Sequence, residues 1–266
     1  MSEYETIELQ ASPGGVAFVT LNRPEKRNAF NRLMIDELAD AFETLRGEDH
    51  LRMVILKGAG KTFSAGADLN WMRNAAEFTQ SENEEDAFAL AEMLRRLHHL
   101  PQMTVAAVQG AAMGGGAGLV AACDIAVATK DTAFRFSEVR LGLTPATISP
   151  FVIDAIGPRW AKALFISGEG FDGEYAEKIG LVQYVVENEQ ELSEKLEYLS
   201  GMAFQNAPGA VAESKKLVDD VVGREIDHDL CHMTAKRIAA RRASEEGREG
   251  VSAFLEKRKP NWADQG

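Results

Sequence analysis

The sequence predicts an α/β protein, with a mixed strand-and-helix core over residues 1–190 and a helical C-terminal region over residues 191–266. Three observations carry this. Two apolar, strand-like runs, one from Met53 to Leu56 and one opening at Thr104, each feed a glycine-rich turn and then a helix start. Tyr4–Gln10 and Val16–Leu21 flank the turn Ser12-Pro13-Gly14-Gly15, as the two arms of a hairpin would. From Glu191 onward the chain reads as helices: Glu191–Phe204, Pro208–Val222 and about Ile226–Glu246. A length of 266 residues suits one large domain or two modest ones, and no fixed-period repeat or low-complexity linker divides them.

Between the hairpin and the tail the elements follow in order. Asn22–Asn28 is a polar loop, and Asn31 is placed to cap an amphipathic helix to about Leu45, with Met34, Leu38, Ala41, Phe42 and Leu45 on one face. After the 53–56 strand, the small residues Ser64-Ala65-Gly66-Ala67 lead to Asp68, a second helix cap. Glu77–Glu85 is acidic with little to bury, so it reads either as a mobile segment beside the glycine turns or as a solvated helix start. Ala87–Leu100 is an amphipathic helix whose terminal His98 and His99 suit the negative end of its dipole. Gly114, Gly115, Gly116, Ala117 and Gly118 then open a short helix through Leu119–Cys123, and Asp124–Ala128 and Thr132–Phe136 follow as strands. Leu143–Pro150 is a proline-broken loop. Helix-like PFVIDAIG, the helices Trp160–Ser167 and Tyr175–Ile179, and a last strand, Leu181–Val186, complete the core.

A strand, a glycine turn and a helix start together present backbone N–H groups with no intrahelical partner at the positive end of a helix. Two such turns suggest paired donors on one oxygen, the geometry of an oxyanion hole. Other uses of these glycines fit less well. MGGGAG is neither G-x-G-x-x-G nor a P-loop. Thr104–Cys123 is uncharged, but it is alanine-rich, interrupted by glycine and lacks a positive flank, which argues against a membrane span. Two cysteines, Cys123 and Cys231, with no Cys/His cluster, predict no metal site and a reducing compartment. The polar, acidic start Met1–Thr6 does not read as a secretory leader, so a cytoplasmic location is expected. A formal charge of −12 argues against a nucleic-acid partner.

Four segments make the site specific. LNRPEKRNAF (Leu21–Phe30), FSAGADL (Phe63–Leu69), VQGAAMGGGAGLVAACDIAVA (Val108–Ala128) and FSEVRLGL (Phe136–Leu143) resemble, in order and spacing, the enoyl-CoA hydratase/isomerase or crotonase family. With the tail, the resemblance covers nearly the whole chain. It implies a crotonase-like (ClpP/crotonase) spiral of ββα units and a C-terminal helical region, 191–266, used for assembly into a homotrimer or dimer of trimers. It implies an acyl-CoA thioester as substrate, with coenzyme A entering only as part of that substrate and no separate cofactor. It places the thioester carbonyl between the backbone amides of Ala65 and Gly115, and makes Glu138 the catalytic carboxylate near the acyl α and β carbons. Coenzyme A would run along Lys26 and along Ala65, Gly66, Ala67, Asp68 and Leu69. Phe254 and Lys257 would touch its adenine end, often from a neighbouring subunit.

The family's hydratases supply two glutamates, and the position of the first is Gly118 here. This predicts a small neutral gap at Gly118, where the first carboxylate would sit, to be made good by Glu138 acting alone, by a carboxylate on the substrate, or by bicarbonate. Gly118 together with SEVRLGLTPATISPFV resembles methylglutaconyl-CoA and isohexenylglutaconyl-CoA hydratase-like members, from leucine and terpenoid breakdown, whose substrates are branched and carboxylated. A general enoyl-CoA hydratase, a Δ3–Δ2 isomerase and a decarboxylase share the same enolate. An RNA-binding or catalytically inert acyl-CoA-binding member is the reading from a different class; the acidic, polar 71–84 segment and the retained Glu138 weigh against it.

Overall fold

A computed structural model describes residues 4–264, so the first three residues of the acidic start and the last two of the tail lie outside the described residues. Strands β1 (Ile7–Ala11) and β2 (Val16–Leu21) form the expected antiparallel hairpin. Helix α1 (Arg32–Arg46) begins where Asn31 accepts a hydrogen bond from the Met34 amide, and it buries the apolar face read from the sequence together with Ile35. The chain continues through β3 (Met53–Gly58), α2 (Leu69–Ala75) and α3 (Gln80–His98). Then come β4 (Met103–Val108), β5 (Ala111–Met113), α4 (Gly115–Ala122), β6 (Ile125–Thr129) and β7 (Ala133–Arg135). Helix α5 (Ser149–Ser167), β8 (Gly170–Phe171), α6 (Gly173–Ile179) and β9 (Tyr184–Val186) close the mixed region. The tail is α7 (Glu189–Gln205), α8 (Pro208–Val221), α9 (His228–Ala243) and α10 (Glu245–Leu255).

The strands build two sheets, one ordered β1-β2-β3-β4-β6-β9 and one ordered β5-β7-β8. In the larger sheet every pairing after the hairpin is parallel. Successive units β4–β5–α4 and β6–β7–α5 each give one strand to either sheet and then a helix, which is a spiral of ββα turns. The unit before them follows the same course, with Ser64 bridging in parallel to Ala112 in place of a full strand.

Central strands of the larger sheet are buried on both faces, which is why they read as continuous apolar runs instead of alternating ones. On β3, Val54 and Leu56 join the main core with Met34, Leu38 and Leu97, while Met53 and Ile55 face the other way. That second face is covered by α7 through Leu192, Leu199 and Ala203, so the first helix of the tail is a layer of the core sheet. Helix α8 has no buried residue, α9 buries only Leu230 and α10 only Ala253.

One element differs from its sequence reading, and the structure decides two others. Of the two readings of Glu77–Glu85 the solvated helix start holds: Thr79 and Glu82 form a reciprocal capping box, and α3 runs from Gln80. PFVIDAIG and Trp160–Ser167 are two helical segments, as read, joined within α5 across a kink at Gly157 (φ 73°), where Pro158 removes an amide and disfavours helix at the preceding residue. The expected long helix Ile226–Glu246 is two, because Ser244 turns to extended backbone and caps α10 by accepting from the Gly247 amide. Among the described residues no helix is long and apolar enough to cross a membrane.

Candidate active site

The two glycine turns lie side by side. Ser64 donates its amide to the Ala111 carbonyl (2.9 Å) and accepts from the Met113 amide (3.0 Å), stitching the 63–68 turn to β5. On the opposite side Phe30 takes both bonds of a parallel bridge, donating to Gly66 O (2.7 Å) and accepting from Asp68 N (2.7 Å). Asp68 caps α2, its Oδ1 accepting from Asn70 N (2.8 Å) and Trp71 N (3.4 Å). Its Oδ2 accepts from Arg23 (2.9 Å). Burial pushes this carboxyl's pKa up, but the backbone amides and the Arg23 guanidinium outweigh it and hold the group below the usual aspartate range.

The two expected oxyanion donors fare differently. Gly115 is the first residue of α4, and among the described residues its amide has no acceptor, as the first turn of a helix dictates. The Ala65 amide, in contrast, donates to the Arg27 carbonyl at 2.9 Å. It is therefore already spent, which corrects the assignment of Ala65 as a donor to substrate. Two residues on, Ala67 has no acceptor among the described residues: the bridge to Phe30 uses Gly66 O and Asp68 N, so the intervening Ala67 amide faces away from it. Ala67 is exposed. The turn thus offers one amide to a ligand, at Ala67.

Glu138 opens a 3₁₀ turn, Glu138–Leu141, directly after β7. A Cβ added at Gly114 would lie 3.2 Å from Glu138 Oε1, so the carboxylate sits against the N-terminal end of α4, where Gly114 adopts φ 49°. Glu138 Oε2 is buried and has no hydrogen-bond partner among the described residues. Burial raises the Glu138 pKa above the ordinary carboxylate range, only partly offset by its own backbone amide. An unpaired, desolvated carboxylate with a raised pKa is suited to take and return a proton near neutral pH.

The gap expected at Gly118 is absent. A Cβ built there would lie 2.4 Å from Ile148 Cγ2 and 2.9 Å from Ile148 Cβ. Gly118 stands one helical turn from Gly114, its amide donating to the Gly114 carbonyl (3.0 Å), so both face the same side of α4. Ile148, 1% exposed, therefore fills the space at Gly118 that a substrate carboxylate or a bicarbonate would have covered, whereas the remaining alternative, Glu138 acting alone, needs no such space. No local signal in LTPATISP announces this, because the contact is made thirty residues from Gly118.

The remaining expected residues are spread out. Lys26 is exposed in the 3₁₀ turn Pro24–Lys26, and Leu69 is exposed at the start of α2. Phe254 and Lys257 are exposed at the end of α10, which packs on α9. Among the described residues no hydrogen bond, ion pair or ring contact joins either to the glycine turns. Sequence reading also missed Arg23 and Asn28. Arg23 joins the Ala29 carbonyl to Asp68, and Asn28, fully buried, bonds across to Ala59 and Thr62. Cys123, which ends α4, has its thiol pKa pushed far up by burial.

Comparison with known proteins identifies the family. Residues 11–265 match the family profile described as enoyl-CoA hydratase/isomerase. A solved Legionella pneumophila protein assigned to the enoyl-CoA hydratase/isomerase (crotonase) group superposes with a TM-score of 0.90 at 45% identity, over 97% of this chain and 98% of that one. The crotonyl-CoA hydratase of Syntrophomonas wolfei is 31% identical over 261 residues, 97% of this chain and 98% of the relative. The 2,3-dehydroadipyl-CoA hydratase of Escherichia coli is 31% identical over 254 residues, 93% and 94% of the two chains.

Proposed function

Because the chain belongs to the enoyl-CoA hydratase/isomerase family and is a hydratase-type lyase acting on acyl-CoA, we propose that it hydrates an α,β-unsaturated thioester with Glu138 as its single acid–base carboxylate. The observation that carries this is the unpartnered, buried Glu138 Oε2 beside the open end of α4, with Ile148 in the place of a second carboxylate. In this reading the amides of Gly115 and Ala67 donate to the thioester oxygen. Glu138 takes a proton from water as the water oxygen bonds to Cβ, and the double-bond electrons move onto the thioester oxygen as an enolate. The enolate collapses as Glu138 returns a proton to Cα, so the net addition is one water. Each amide donor contributes on the order of 3 kcal/mol to the enolate-like transition state. Lys26 and the 65–69 turn would lie along coenzyme A. Phe254 and Lys257 would reach it from a neighbouring subunit of a trimer or dimer of trimers.

The experiment is turnover of crotonyl-CoA by Glu138→Gln, which keeps shape and removes the titrating group. Loss of most kcat with coenzyme A binding retained supports the role, and near-normal kcat refutes it.

Two substrate readings follow from different observations. Gly118 with the SEVRLGLTPATISPFV segment supports a branched, carboxylated acyl group, and the dehydroadipyl relative is named for a carboxylated substrate. That carboxylate would have to be met away from Gly118, since Ile148 fills the space there; Arg73 and Arg140 are exposed cations on α2 and the Glu138 turn. The same Ile148 favours an apolar acyl group, as in a general enoyl-CoA hydratase. Comparing kcat/KM for 3-methylglutaconyl-CoA, isohexenylglutaconyl-CoA and crotonyl-CoA separates them, and equal or better use of crotonyl-CoA rejects the carboxylated substrate.

A further inference from the structure

We propose that Arg23 is a positioning residue for the oxyanion turn, acting through Asp68 and resting on the hydratase reading above. The guanidinium spans two segments: Nη1 donates to the Ala29 carbonyl (2.6 Å) and Nη2 to Asp68 Oδ2 (2.9 Å). Both side chains are largely buried, 15% and 9% exposed, so solvent screens this pair less than a surface pair. The loop it closes is held in an unusual shape. Arg27 and Asn28 are consecutive non-glycine residues with φ of 51° and 53°. L-residues rarely adopt that region, and two in succession need support from outside.

The support is visible. Asn28 Oδ1 accepts from the Arg23 amide (2.9 Å), and Asn28 Nδ2 donates to the carbonyls of Ala59 (2.9 Å) and Thr62 (2.7 Å). The left-handed backbone aims two carbonyls at the site: Arg27 O takes the Ala65 amide and Asn28 O takes the Ser64 hydroxyl, each at 2.9 Å. The turn carrying Ala67 is thereby pinned before and after its open amide, by Arg27 on one side and by Asp68 on the other.

Charge adds a second consequence. Asp68 follows Ala67 directly in the turn and its side chain is 9% exposed, so an unpaired negative charge there would be only weakly screened from the site. Paired with Arg23 it is neutralised; unpaired, it would oppose the developing enolate as a like charge. Arg23 thus holds the donor's position and silences its acidic neighbour.

The test is Arg23→Gln, alone and with Asp68→Asn, in the full-length protein with crotonyl-CoA, with folding followed by circular dichroism. Arg23→Gln is expected to lower kcat about tenfold or more with KM changed less than about twofold, since misplaced donors cost transition-state binding. Arg23→Gln/Asp68→Asn removes both charges, keeps the cap oxygen, and is expected to return kcat to within about threefold of wild type. Wild-type kcat in Arg23→Gln, a double variant as slow as the single, or kcat and KM falling together would each overturn the proposal. If Arg23→Gln does not fold, Arg23→Lys retains the charge but loses the two-armed bridge, and a kcat loss of about threefold without a KM change is expected. An unchanged kcat in Arg23→Lys would then refute it. Turnover by Glu138→Gln in the same assay tests the hydratase reading separately, because retained activity there removes the parent mechanism whatever Arg23 does.

Discussion

The cost of Gly118→Ala should depend on the side chain at residue 148. In the wild-type background the new methyl would lie 2.4 Å from Ile148 Cγ2, about an ångström inside ordinary contact. Ile148 is 1% exposed, so it has no solvent to turn into. Overpacking of this kind costs about 1–3 kcal/mol, against about 1 kcal/mol gained by replacing glycine with alanine inside a helix. The net expectation is a loss of about 0–2 kcal/mol. Ile148→Ala alone leaves a cavity and costs about 2–5 kcal/mol. In that variant the 2.4 Å clash with Cγ2 is gone, but the methyl at 118 still lies 2.9 Å from the Cβ of residue 148, so the overpacking is relieved in part while the helix gain is kept. Gly118→Ala should then be nearly neutral or stabilise by up to about 1 kcal/mol. Urea denaturation of the four proteins at one protein concentration gives the coupling energy, expected at about 1–3 kcal/mol. A stabilisation of about 1 kcal/mol in both backgrounds would mean that the space beside Gly118 is open, and the reasoning from Ile148 would fail.

Further outcomes follow from the same contacts. Glu138→Gln should lower kcat by about 10²–10⁴-fold, and the acid limb of the wild-type kcat profile should lie above the ordinary glutamate range and flatten in the variant. Because the folded-state pKa of Glu138 is raised, the folded protein binds more protons than the unfolded chain between the two pKa values, and stability falls as pH rises through that window. Glu138→Gln should therefore resist urea better than wild type at neutral pH, but not below the ordinary glutamate range. Equal midpoints at neutral pH would count against the buried charge. Asp68 has the opposite sign: its depressed pKa adds stability above the unfolded value that is lost as pH falls through the folded one, so Asp68→Asn should shrink the acid-side loss of Tm. Light scattering should find at least a trimer, since Val218, Ile238, Val251 and Phe254 leave apolar surface exposed on the tail helices; a monomer at micromolar concentration would reject this.

What the sequence determined by itself is the local order of the chain. The hairpin, the Asn31 and Asp68 caps, both glycine turns and the place of Glu138 after a strand are all encoded within a few residues of where they occur. Even the boundary left open and the one misread had local signals, the Thr79-x-x-Glu82 box before α3 and the Ser244-x-x-Gly247 cap that divides the last helix. Only the tertiary structure decided which amide of the 63–68 turn is open and whether the space at Gly118 is empty. The first depends on a carbonyl at Arg27 that takes the Ala65 amide, the second on the side chain of Ile148. Caps and turns arise from bonds among near neighbours, so their residue types announce them. A donor's availability and a glycine's vacant Cβ position depend on whatever distant segment packs there, and no spacing within the turn itself records it.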